Sequence, residues 1–193
     1  SEKLLKLQKD IINASWKLRR DHDLGRPFDT LSSDLIVVFE SQMVVITLVD
    51  EAIAKAEDAK LKKIFTEAKA LMEQAASEFA LVISEQDGDL ITPAHKTALA
   101  VYAKLIEARS RESEISMSQS QSQGSSQQEQ QRNMNLELKQ KELKYEEKSS
   151  AEEESQSAEQ KEDLAVLNRL KELARRQEAI AEKIKELENQ LQN

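Results

Sequence analysis

The stretch LSSDLIVVFESQMVVITLVDEAIAKA, Leu31 to Ala56, decides the fold. Its apolar residues Leu35, Ile36, Val38, Phe39, Met43, Val45, Ile46, Val49, Ala52, Ile53 and Ala56 recur at steps of three and four, the period of an α-helix. The apolar arc is too wide for a surface helix with one buried stripe. The segment is therefore expected at the centre of a helical bundle, covered on several sides. Phe39, Met43 and Ile46 are expected to be fully buried there. It is a poor membrane span: Glu40, Ser41 and Gln42 interrupt it, and Asp34 and Asp50 bound a run shorter than the ~20 residues a bilayer requires.

On its N-terminal side, Leu4, Leu7, Ile11, Ala14 and Leu18 form the stripe of a first helix over residues 2–21, with Leu5, Ile12 and Trp16 beside it. Trp16 is expected to be a packing anchor. Gly25 terminates that helix and Pro27 prevents its continuation. Ser32 is the expected N-cap of the central helix. A break is expected near Glu57–Asp58, with Asp58 capping a third helix over 59–85; one continuous kinked helix is the alternative. Asp87-Gly88-Asp89 is turn chemistry. Thr92-Pro93 then opens a fourth helix, a capping hydroxyl followed by proline at the first helical position, and that helix is expected to run to Ile115.

Composition changes at Ser116. Residues 116–131, SMSQSQSQGSSQQEQQ, have almost nothing to bury and read as a linker. Residues 132–163 read as a mostly solvated helix. The segment 164–191 has the pattern of a coiled coil, with Val166, Leu173, Ile180 and Leu187 at d positions and Leu170, Gln177, Ile184 and Leu191 at a positions. These eight residues are the candidate partner-binding seam. The chain is thus read as all-α: a bundle of about four helices at 1–115, the linker at 116–131, and a helical arm at 132–193 ending in the coiled coil.

Charge excludes several function classes. The formal net charge is −8, and residues 1–30 carry only +2 while residues 31–115 carry −6. With no clustered Lys and Arg to neutralise phosphates, nucleic acid is not an expected partner. Anionic lipid is not expected either, and this segment inserts into no membrane. The chain has no cysteine, which removes disulfides and thiolate chemistry. Ser1 is not a start methionine, so a processed product or a piece of a longer chain is expected.

The stretches LQKDIINASWKLRRD, LIEARSRESEIS, LELKQKELKYE and LNRLKELARRQEAIAEKIKELE resemble a family of large, membrane-anchored bacterial coiled-coil proteins, a domain of unknown function with long helical repeats and Gln-rich tracts. The resemblance implies an internal fragment in a cell-envelope setting, with helices facing the periplasm; a cytoplasmic location is the alternative. It transfers no catalytic residue.

No constellation points to a reaction. His22 lies between Asp21 and Asp23, which reads as a charged helix end entering a loop in preference to a metal site. His95 reads as a surface residue in the first turn of the fourth helix. Asp87 and Asp89 lack the twelve-residue calcium-loop pattern. The carboxylate pairs Asp50-Glu51 and Glu57-Asp58 read as solvated faces. The chain is therefore expected not to be an enzyme and to need no cofactor or metal. The expected function is a structural scaffold or assembly subunit in a cell-envelope complex, its partners being protein helices in a homo- or hetero-oligomer. The alternative is a helical-repeat module that captures a peptide between the first and fourth helices.

Overall fold

Short connections between long amphipathic segments force neighbouring helices to run antiparallel. The computed structural model describes residues 1–121 and 157–192, without the side chains at 121, 177–182 and 184. All of its regular structure is helical: α1 (Glu2–Asp23), α2 (Phe28–Lys55), α3 (Ala59–Glu85), a 3-10 turn (Gly88–Leu90), α4 (Ile91–Gln121) and α5 (Ala158–Gln192). Helices α1 to α4 form a ring in which α1 touches α2 and α4, and α3 touches α2 and α4; α5 lies against α1 and α2. The remainder of the expected linker, 122–131, and the solvated helix read at 132–156 lie outside the described residues.

The junctions follow local chemistry. Gly25 takes φ 91°, the left-handed conformation open to glycine, at the end of α1. The NH of Gly25 donates to the carbonyl of His22 and that of Arg26 to the carbonyl of Asp21, so the last carbonyls of α1 are satisfied. The break at Ala56–Asp58 is present, and the Asp58 carboxylate accepts from the NH of Leu61 at 2.9 Å as the cap of α3. Two expected caps are corrected. Helix α2 starts at Phe28, directly after Pro27, so Ser32 lies inside it. Before α4 the capping side chain is that of Asp87, which accepts from the NH of Asp89 and opens the 3-10 turn that leads into Ile91. Helix α4 also continues past Ile115 to Gln121, taking the first residues of the Ser/Gln tract with it.

The core contains Leu4, Ile11, Leu18, Leu31, Leu35, Val38, Val45, Val49, Phe65, Met72, Phe79, Leu105 and, from α5, Leu170 and Leu173. Burial in α2 departs from the expectation. Phe39 and Ile46 are only partly buried and Met43 is 46% exposed. The reason is geometric: among the described residues the helices packed along α2 are α1, α3 and α5, and one apolar strip, Ile36 and Met43, stays exposed. Trp16 is likewise half exposed, with the Arg20 guanidinium 5.1 Å from its ring centre, so it is no core anchor.

Polar side chains inside the ring are paired across helices. Gln8 of α1 and Gln42 of α2 are fully buried and exchange two amide bonds of 3.0 Å; the Gln8 amide also donates to the Ala98 carbonyl at 3.3 Å. His95 corrects the surface expectation: it is 5% exposed, and its Nδ1 is 2.7 Å from Ser15 Oγ. Burial is the main force pushing the His95 imidazole below its ordinary value, with Arg19 adding to it.

Candidate functional site

Helix α5 has its own start signal. Ser157 and Gln160 form a capping box: Ser157 Oγ accepts from the Gln160 NH, and the Gln160 side chain accepts from the Ser157 NH, each at 3.3 Å. The Ser-x-x-Gln spacing is legible in the chain, yet the low apolar content around it hid the signal. Downstream, Val166, Leu170, Leu173 and Ala174 are buried, and Leu170 and Leu173 join the core of the bundle. Lys3 at the start of α1 and Glu40–Glu51 of α2 lie beside the first turns of α5. The helix therefore runs parallel to α1 and antiparallel to α2, seated in the groove between them.

The eight seam residues have different fates. For Val166, Leu170 and Leu173 the covering surface belongs to the chain itself. The side chains of Gln177, Ile180 and Ile184 lie outside the described residues. Leu187 is 55% and Leu191 86% exposed. At 1.5 Å per residue, the 35 residues of α5 extend ~52 Å, against ~33 Å for the 22 residues of α1. The end of α5 thus outreaches its seat, and every described side chain from Arg175 to Gln192 is exposed.

His22 Nε2 lies 2.8 Å from Asp89 Oδ1, tying the end of α1 to the 3-10 turn. The His22 ring lies so close over Gly88 that a Cβ there would overlap it. Among the described residues, no group of three or more His, Cys, Asp or Glu side chains is arranged to hold a metal ion, and no helix is long and apolar enough to cross a membrane. Between α1 and α4, the Gln8 amide meets the Ala98 carbonyl and Ser15 meets His95, with Ile11 and Ala14 buried between them. A cleft of about 510 Å³ remains at the other end, by Leu5, Lys6, Lys9, Tyr102 and Arg109. Ion pairs lace α3 to α4 at the surface: Lys104 with Glu67 at 2.8 Å, and Arg111 with Asp58 at 2.9 Å.

Comparison with family models, with curated proteins and with solved structures finds no match to this chain.

Proposed function

We propose that this chain is a structural scaffold or assembly subunit that works through helix–helix contacts. The observation that carries the reading is the divided fate of one heptad seam. Its first members are seated in the bundle, and its last, Leu187 and Leu191, are bare on a helix that outreaches that seat. A helix end of this kind, polar apart from one apolar row, is marginal alone in water and is stabilised by a second helix laid along it. The bundle then acts as a rigid holder that fixes the direction in which the row is presented. The cell-envelope setting rests on the sequence resemblance.

Sedimentation of the wild-type chain and of a Leu187→Asp, Leu191→Asp variant tests the reading. Each new carboxylate would have to be desolvated in a paired seam. The expected result is concentration-dependent association of the wild type, and a monomeric variant that loses helicity only at the end of α5 and unfolds at the midpoint of dilute, dissociated wild type. A wild type monomeric throughout, or association that survives both changes, overturns the proposal.

A further inference from the structure

A cleft of about 710 Å³ lies between α2 and the first turns of α5. Its apolar lining is Met43, Val44, Leu48, Leu164, Val166 and Leu167, and two of these, Met43 at 46% and Leu164 at 42%, are exposed. Around them stand five carboxylates, Glu40, Glu51, Glu159, Glu162 and Asp163, against one base, Lys3. An isolated apolar strip needs no explanation. Two exposed apolar side chains facing one cleft, ringed by charge of one sign, make a surface with both a shape and a polarity.

We infer that this cleft docks a cationic amphipathic helix of a partner protein. The α2 side of the lining runs from Glu40 to Glu51, a length of ~16 Å, which is about three helical turns. A helix with Leu or Phe at i and i+3 or i+4 places those side chains on Met43 and Leu164, and Lys or Arg on its flanks reach the carboxylates. A second copy of this chain is the poorer match. The exposed end of α5 has the apolar row but no net positive charge, since Glu178, Glu182, Glu186 and Glu188 balance Arg175, Arg176, Lys183 and Lys185. The exposed side chains of α1 are Glu2, Lys3, Lys6, Lys9, Trp16 and Asp23, with Trp16 the one apolar group among them. Charge complementarity therefore selects a partner whose helix is both apolar on one side and basic on the other.

The probe is a fluorescein-labelled Leu/Lys amphipathic peptide of about four helical turns, with a Leu/Glu peptide of the same pattern as control; binding is read by anisotropy on the full chain. The Leu/Lys peptide is expected to bind, with affinity falling as salt rises, and the Leu/Glu peptide is expected not to. Glu40→Gln with Asp163→Asn is expected to weaken binding by about tenfold or more. Glu57→Gln with Glu85→Gln, two exposed carboxylates outside the cleft, should change it by less than about twofold. Equal losses from the two variant pairs, no binding, or equal binding of both peptides overturns the inference. So does salt-sensitive self-association of the wild type that Glu40→Gln with Asp163→Asn abolishes, which would give the cleft to a second copy. Leu187 and Leu191 do not line this cleft, so the assembly proposal and this one fail separately.

Discussion

The carboxylate of Asp58 is held twice: it accepts from the NH of Leu61 as the cap of α3, and it receives Arg111 Nε and the second guanidinium nitrogen of that residue, each at 2.9 Å. One side chain thus starts a helix and ties its start to α4. Hydrogen bonds from Arg111, then that from Leu61, lower the Asp58 carboxyl from 3.8 to about 2. A carboxylate depressed in the folded state adds stability that is complete above the unfolded value and fades as pH falls through the folded one. Acid titration of unfolding should therefore show a loss between pH 3.8 and about 2 that is absent in Asp58→Asn. Arg111→Lys, which cannot give the two-pronged contact, should lower the melting temperature and reduce that acid-dependent loss.

Gln8→Leu alone should destabilise the protein by ~1–3 kcal/mol, because it strands the buried amide of Gln42. Gln8→Leu with Gln42→Leu should recover much of that loss, since both partners are then apolar. A double-mutant cycle in urea checks this. Additive losses would mean that the two amides act independently.

His95 is kept neutral by its surroundings, below its ordinary value of 6.5. The unfolded chain takes up the proton first as pH falls, so stability drops from about 6.5 downward until the folded-state value is passed. Urea unfolding between about pH 8 and about pH 5 should show this slope, and His95→Gln should flatten it. An unchanged slope would place the titration elsewhere.

Gly88→Ala should displace the His22 ring, because the added methyl would occupy its place. Overpacking of this kind costs ~1–3 kcal/mol. The addition of His22→Ala removes the obstruction, so the double variant should unfold at a higher temperature than Gly88→Ala alone. If it does not, the strain lies in the backbone.

Leu170→Ala should cost ~2–5 kcal/mol, as it opens a cavity in the core. Leu187→Ala, on an exposed position of the same helix, should stay within ~0.5 kcal/mol for a monomer. Thermal melts of dilute samples compare the two.

Periodicity made the helices, the break at Asp58 and the turn at Gly25 legible, because each rests on residues close together in sequence. What it could not give was who covers whom. The stripe Val166–Leu170–Leu173 announces a wish for cover, and α1 and α2 supply it only after the chain has turned back. The same ignorance made Met43 look buried and His95 look exposed. Their burial is set by neighbours on other helices, Ser15 in the case of His95. Buried Gln42 reads as an interruption of an apolar run because it makes sense only beside Gln8.

The seat of α5 between α1 and α2 has a consequence for the order of events during synthesis. Helices α1 and α2 leave the ribosome with one flank uncovered, and the segment that covers it is made only after α3 and α4. Chains caught before Leu173 therefore carry an open strip that includes Val44, the kind of transient surface that invites premature association. Closure joins the two extremes of the described chain, a non-local contact that slows the final step relative to the docking of α1 to α4.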